Sequence, residues 1–155
     1  MLYLSLKAVH VLSVLLWVGG MAFAHFCLRP AVAALDPPVR LQLMQQVLQR
    51  FFTIVSVAVL VILGSGLWMI GRVAKQSVQA GAGFSMPLDW TVMTVVGLLM
   101  MALYGHIRFV LFKRLSRAVS AQQWSQAASA QGALRTWVGV NLALGLVLVV
   151  VVYLL

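Results

Sequence analysis

Four long runs of apolar residues dominate the pattern along the chain. They are Leu2–Leu28, Phe51–Gly71, Trp90–Phe112 and Leu134–Leu155. Each run reaches or exceeds the roughly 20 residues that an α-helix needs to cross a hydrocarbon core about 30 Å thick. The pattern therefore predicts an all-α integral membrane protein, and the short connections favour an antiparallel bundle of four transmembrane helices. The expected spans are residues 3–28, 51–72, 89–112 and 134–155, within a single domain over residues 1–155.

A polar segment separates the first two runs and carries a helical signal of its own. Asp36-Pro37-Pro38 is typical of a helix start, with Asp36 as the N-cap and proline at the first helical position. Apolar residues then recur at helical spacing from Leu41 to Phe51. We therefore expect the second span to begin as an amphipathic extension that lies at the headgroup layer or rises from it.

The other two connections differ in character. The segment from Lys113 to Arg135 is rich in Ala, Gln and Ser. We expect it to continue the third helix and then turn near Gly132, with Trp124 as an interfacial anchor. The connection from Gln79 to Pro87 contains two glycines and is expected to be a flexible loop.

The charge balance indicates how the spans are oriented. Hydrophobic residues make up 63% of the chain and charged residues 8%, against about 25% charged in soluble domains. A net charge of +9 would suggest nucleic acid in a soluble protein. Here the cations flank the spans, so we expect no nucleic-acid partner. They concentrate in the first and third connections, which the positive-inside rule places in the cytoplasm, with both termini outside.

The first run is expected to remain as a span and not to be removed as a secretory signal. A signal peptide carries its positive charge ahead of its apolar region. Ala22-Phe23-Ala24 resembles a cleavage site, but the only early cation, Lys7, lies inside the apolar run.

One polar stripe follows the first span at three- or four-residue steps. Its members are Lys7, His10, Ser13, Trp17, Met21 and His25. At about 100° per residue they fall within roughly a third of the helix circumference. Polar residues inside a membrane tend to face protein or a cavity, so we expect this stripe to face the bundle, with Lys7 reaching outward to the headgroups.

A second stripe runs along the third span and ends in Tyr104 and Arg108. The other members are Thr94, Gly97 and Met101. Asn141 in the fourth span lies at a similar depth, so we expect it to hydrogen-bond Tyr104 or Arg108. This polar stripe of Tyr104, Arg108 and Asn141 is either a clasp between helices or part of a substrate path. No catalytic set is identifiable, since the two carboxylates, Asp36 and Asp89, lie at span boundaries, where we expect them to cap helices.

Copper is one ligand that these residues suit. Thioethers and imidazole are ligands for Cu(I), and the chain contains eight methionines. Met69 and Met93 lie on the same side of the membrane as His10, as does Met86. The candidate metal ligands are therefore His10, Met69 and Met93.

Haem b is the alternative cofactor, because imidazole also ligates haem iron. Two histidines on one iron are disfavoured, since His10 and His106 differ in depth by roughly 14 Å. His25 and His106 differ by roughly 7–8 Å, but His106 points away from the polar stripe. A haem would therefore use His10 alone or with a non-histidine partner. The candidate cofactor-binding residues are His10, Trp17 and Lys7.

Several segments resemble the CopD family of bacterial inner-membrane proteins. The most specific is Leu6-Lys7-Ala8-Val9-His10, followed seven residues later by Trp17-Val18-Gly19-Gly20. The others are Arg50-Phe51-Phe52, Gly64-Ser65-Gly66-Leu67, and the basic exit of the third span through Arg108 and Lys113-Arg114. The resemblance implies a multi-pass protein of the bacterial inner membrane that functions in copper uptake or resistance. It also implies a periplasmic copper protein or a membrane protein as partner.

The same opening is similar to that of the HemJ-type protoporphyrinogen oxidases. Those proteins carry a histidine at the position of His10, and the resemblance implies that it serves haem. Where they have a lysine early in the third span, this sequence has Trp90-Thr91-Val92-Met93. Three functions therefore stay open: copper handling, a haem or porphyrin redox protein, and a non-catalytic assembly subunit. A homo-oligomer is a further alternative, and the lipid bilayer is the one partner common to all.

Overall fold

Four long helices form the protein. The computed structural model describes residues 1–154, and the end of the fourth predicted span, Leu155, lies outside the described residues. The helices are α1 (Leu2–Ala34), α2 (Pro37–Gln79), α3 (Leu88–Ser120) and α4 (Trp124–Leu154). Each is long and apolar enough to cross a membrane, and each contains one predicted span up to residue 154. The prediction of an all-α, four-helix membrane bundle is confirmed.

The helix α2 is much longer than a membrane requires. It begins at Pro37 with prolines at its first two positions, and it continues without interruption for 43 residues. Its length is therefore about 64 Å, twice the thickness of the hydrocarbon core. Asp36 occupies the N-cap position, although its side chain makes no capping hydrogen bond. The predicted helix start is confirmed, and the extension and the span form one continuous helix.

The apolar face of this extension is covered by protein. Leu41, Met44 and Leu48 are buried, and they belong to the same apolar cluster as Leu115 and Ala118 near the end of α3. Of the two predicted arrangements, the one in which the extension rises from the headgroup layer fits this packing, because helix α3 also continues past its span and covers the apolar stripe of α2.

The turn between α3 and α4 lies at residues 121–123 and not near Gly132, which is inside α4. The end of α3 is closed by hydrogen bonds from the Gln123 amide to the Ala118 carbonyl and from the Gln122 amide to the Val119 carbonyl. This is the Schellman arrangement, which requires a left-handed residue. Gln122 takes that conformation, with φ at 54°. The turn was misplaced because glycine is the usual residue there.

The antiparallel order brings both termini to one end of the bundle. We call this the terminal end and the opposite end, which carries the first and third connections, the basic end. Within the bundle, α1 packs against α2 and α4, and α3 packs against α4 and the first part of α2. The cations at the basic end are Arg29, Arg40, Arg50, Lys113, Arg114, Arg117 and Arg135.

Buried residues are distributed unevenly between the two ends. Toward the terminal end, the last buried residues are Trp17 on α1, Ser65 on α2, Met100 on α3 and Gly145 on α4. Among residues 1–154, no residue beyond these four positions toward the terminal end is buried. The core therefore occupies the middle and the basic end of the bundle.

Two short π-helical turns interrupt the regular geometry. Ala24–Leu28 forms one within α1, and Ile107–Leu111 forms the other within α3. Both lie between the middle of the bundle and the basic end. Such turns often accompany functional positions, and these two contain His25 and Arg108.

Candidate functional site

The polar stripe of α1 faces the bundle along most of its length. Trp17 and Met21 are 3% and 2% exposed, and His10 and His25 are half-buried. Lys7 is exposed at the terminal end. The stripe therefore places His10 at the boundary between the packed core and the open terminal end.

His10 is held by a serine of the neighbouring helix. Its Nδ1 lies 2.9 Å from the Oγ of Ser65 on α2. The ring also packs over Gly66, where an added Cβ would lie 3.4 Å from the His10 Cε1. The hydrogen bond orients the ring, which lies close to the α2 backbone at Gly66.

The hydrogen bond to Ser65 occupies one nitrogen of His10. The Ser65 hydroxyl also lies within hydrogen-bonding distance of the Val61 carbonyl, one turn earlier on α2. When the hydroxyl proton bonds that carbonyl, the Ser65 oxygen accepts from Nδ1–H of His10, and the neutral imidazole keeps a lone pair on Nε2. Metal-binding histidines are commonly fixed in this way through their other nitrogen.

The two candidate methionines lie at one level, slightly beyond His10. Met69 is one turn past Ser65 on α2, about 6 Å nearer the terminal end than the His10 contact. Met93 is eleven residues before Tyr104 and His10 is seven before Trp17, so the contact between those aromatic rings places Met93 about 6 Å beyond His10. Both methionines are half-buried. The two methionines therefore lie at the same level along the bundle axis, although neither sulfur contacts His10.

Thioethers matter because other ligands are scarce. Within residues 1–154, no three His, Cys, Asp or Glu side chains come together to hold an ion. A metal ion at His10 would therefore need ligands of another type. The methionines at the terminal end are the nearest candidates by level.

Below His10, an aromatic and hydroxyl cluster joins three helices. The rings of Trp17 and Tyr104 meet edge to face, with centroids 5.8 Å apart. The Tyr104 hydroxyl donates to the Phe52 carbonyl at 2.8 Å and lies 2.7 Å from the Ser56 Oγ. These contacts fasten α3 to α2 in the middle of the bundle, and they leave Tyr104 buried.

Asn141 does not join Tyr104 or Arg108, contrary to the expected hydrogen bond. Its Nδ2 lies 3.8 Å from the Met21 sulfur, and its Oδ1 is buried with no partner among the described residues. Arg108 instead places its guanidinium 5.2 Å from the centre of the Phe112 ring. The sequence indicates the depth of Asn141 along the bundle axis. It does not indicate how each helix is rotated about its own axis, and that rotation decides which residue Asn141 meets.

The other two histidines lie apart from His10 and from each other. His25 packs over Gly139 of α4, where an added Cβ would lie 3.5 Å from its Cε1. His106 is exposed, and its ring meets Trp137 at 5.8 Å. The three histidines therefore form no common site.

Ser65 and Ser56 are the site residues that sequence reasoning missed. Both are polar residues on the buried face of α2, two and a half turns apart. Serine is common in transmembrane helices, so its presence alone is a weak signal. Ser65 does lie between Gly64 and Gly66, a run of small residues that permits close approach of another helix.

Comparison with known proteins gives one match. A search of curated proteins and a search of solved structures each found nothing that matches. The model of a protein family, CopD (copper resistance protein D), matches residues 45–155. The match covers most of α2 and all the described residues of α3 and α4, and it includes Ser65 but not His10. Because it covers more than half of the chain, the protein belongs to the CopD family.

Proposed function

We propose that this CopD-family membrane protein handles copper in the bacterial inner membrane, with copper ions as its substrate and both termini outside. The observation that carries the proposal is His10, a half-buried intramembrane histidine whose Nδ1 is occupied by Ser65. Its Nε2 is then free to bind an ion that enters from the terminal end. Intramembrane ionisable residues commonly mark ion pathways.

The ligand chemistry favours Cu(I). Neutral imidazole and thioether groups bind this soft ion without any carboxylate. Met69 and Met93 lie at one level about one turn outside His10, on two different helices. In this proposal they receive the ion first, and His10 binds it at the edge of the packed core.

The packing below His10 suggests that the protein accepts an ion at this residue and does not conduct ions through an open pore. Below His10, the buried side chains of Trp17 and Tyr104 pack against each other. An open pore would have a wet path at this depth. Delivery by a periplasmic copper protein at the terminal end fits this arrangement. The residues there are half-buried, so an ion could reach them without any opening of the packed core.

Haem b is the alternative, and two-histidine ligation does not fit. His25 lies about 22 Å from His10 along the same helix, and His106 packs against Trp137. Trp17 and Lys7 were the other candidate residues. Trp17 is buried against Tyr104, so a haem at this site would use His10 alone or with another non-histidine partner.

The test is Cu(I) binding by the detergent-purified protein, measured in competition with a chromophoric Cu(I) chelator. We expect His10→Ala to weaken binding at least tenfold. His106→Ala is the matched control, since it removes an exposed histidine from the other side of the core. Equal affinity of the wild type and His10→Ala would refute the assignment of His10 and favour an assembly subunit.

An absorption spectrum of the same material, oxidised and then reduced with dithionite, distinguishes the alternatives. The copper proposal expects no Soret band in protein expressed with ample haem. A Soret band that disappears in His10→Ala would establish haem ligation instead. Copper content of cells with and without the protein then separates uptake from resistance.

A further inference from the structure

A groove at the basic end lies between the last turns of α3 and the first turns of α4. Its volume is about 510 Å³. Two arginines, Arg114 and Arg117, line it together with polar side chains and an apolar floor. The other lining residues are Leu111, Ala118, Ala121, Gln123, Gln126, Ser129, Ala130 and Ala133.

The charge of the groove is not balanced by protein. The chain has only two acidic side chains, Asp36 and Asp89, and neither lines the groove. Both arginines are exposed, as are Gln126 and Ser129, which add neutral hydrogen-bond donors. The groove therefore presents two guanidinium groups and several donors to an anion. Guanidinium matches the geometry of phosphate oxygens through paired hydrogen bonds.

The depth of the groove indicates where that anion comes from. The third span is expected to end near Phe112, so Arg114 and Arg117 lie about 3–8 Å beyond it. The headgroup layer is about 5–7 Å thick on each side of the hydrocarbon core. Ser129 and Ala130 lie at a similar level on α4, four to five residues outside the span that begins at Leu134. The apolar floor, from Leu111 to Ala130, continues toward the hydrocarbon.

We propose that this groove binds the phosphate of an anionic phospholipid in the cytoplasmic leaflet, with the headgroup between Arg114 and Arg117. Basic grooves between transmembrane helices on the cytoplasmic side bind such headgroups. The bound lipid would join α3 to α4 at the turn formed by Gln122. The inference is independent of copper handling, because His10 lies at the other end of the bundle.

The test measures binding of phosphatidylglycerol to the detergent-purified protein by native mass spectrometry, with phosphatidylcholine as the neutral comparison. A hydrogen bond to a charged group contributes roughly a tenfold gain in affinity. We therefore expect R114Q/R117Q to weaken phosphatidylglycerol binding at least tenfold, and R114K/R117K, which keeps the charge but not the paired hydrogen bonds, to weaken it less. Size-exclusion profiles matching the wild type would show that the variants remain folded.

The matched control is R50Q/K113Q, which removes two exposed cations from the same end but outside the groove. We expect it to change binding less than threefold. An equal loss in the control would overturn the proposal in favour of diffuse surface charge, as would equal binding of phosphatidylcholine. Inorganic phosphate distinguishes the two sources of the anion: displacement of the lipid by millimolar phosphate would point to a soluble phosphate ligand instead.

Discussion

The two ends of the bundle are built differently. At the basic end and in the middle, all four helices contribute buried residues to one apolar cluster, including Phe52 and Leu115. At the terminal end, the side chains of residues 1–154 are half-buried or exposed. His10 and its serine partner lie at the boundary between the two regions. The difference predicts that substitutions in the core reduce the stability of the bundle more than substitutions at the terminal end.

Part of the core is stabilised by burial away from water, whereas the terminal end is expected to lie in lipid. The extension of α2 is expected to continue about 15 Å beyond its span, past the headgroup layer and into water, so burial of Leu41 gains from the hydrophobic effect. Within lipid, burying an apolar side chain gains little, and helices associate through close packing and hydrogen bonds. The extension beyond the membrane therefore gains stability from the hydrophobic effect, which stabilises the membrane part of the same bundle much less.

The largest expected effect tests this division directly. Leu115→Ala removes a side chain that is 0% exposed and should lower the free energy of unfolding by about 3 kcal/mol. Leu98→Ala makes the same change in the same helix at the terminal end, where Leu98 is 50% exposed. We expect the second variant to lose under about 1 kcal/mol. Denaturation in mixed detergent micelles, followed by circular dichroism, measures both; similar losses would contradict the division.

A smaller effect is expected from the hydrogen bonds between α2 and α3. Tyr104→Phe removes the hydroxyl that donates to the Phe52 carbonyl and contacts Ser56. Because the site is buried, we expect a loss of about 1 kcal/mol. Tyr153→Phe, at a residue 90% exposed, is the control and should leave the unfolding curve unchanged. Indistinguishable curves for the two variants would show that the hydroxyl contributes nothing to the clasp.

The smallest expected effect comes from the glycines of α2 near the His10 ring. Gly66→Ala adds a methyl group 3.4 Å from the His10 Cε1, whereas Gly64→Ala meets nothing within 4 Å. At that distance the methyl group makes ordinary van der Waals contact with the ring, so we expect the first variant to change Cu(I) affinity less than about threefold, with stability within about 0.5 kcal/mol of the wild type. The second should bind Cu(I) normally. Chelator competition measures both, and a tenfold loss in Gly66→Ala would contradict a simple contact at this ring.

Much of the fold follows from the sequence, because the length of each apolar run shows directly whether a helix can cross the membrane. All four spans are found, and the two prolines mark where α2 begins. The parts outside the membrane are harder to assign. An amphipathic helix looks the same whether lipid or another helix covers its apolar face, so the position of Leu41, Met44 and Leu48 could not be decided. The turn at Gln122 was missed because glutamine gives no signal for a left-handed conformation.

The candidate site was predictable only in part. Periodicity places His10, Trp17 and Met21 on one face of α1, and the structure places that face toward the bundle. The partners of those residues depend on how neighbouring helices are rotated about their axes. Neither Ser65 beside His10 nor Met21 beside Asn141 could be identified without that rotation. Residue spacing therefore fixes which side chains share a face, and packing decides which ones meet.

The π-turns allow the number of residues in a helix to change without turning its faces. A π-turn accommodates one residue more than the α-helical turn it replaces, so it absorbs a residue that would otherwise rotate the rest of the helix by about 100°. In α1, the turn at Ala24–Leu28 lies between the face that carries His10 and the buried Val32 near the basic end. Phe26 and Cys27 within it are exposed, so their side chains are free to vary. Losing one of these two residues would convert the π-turn into an α-helical turn, so His10 would still face Ser65 while Val32 kept its place.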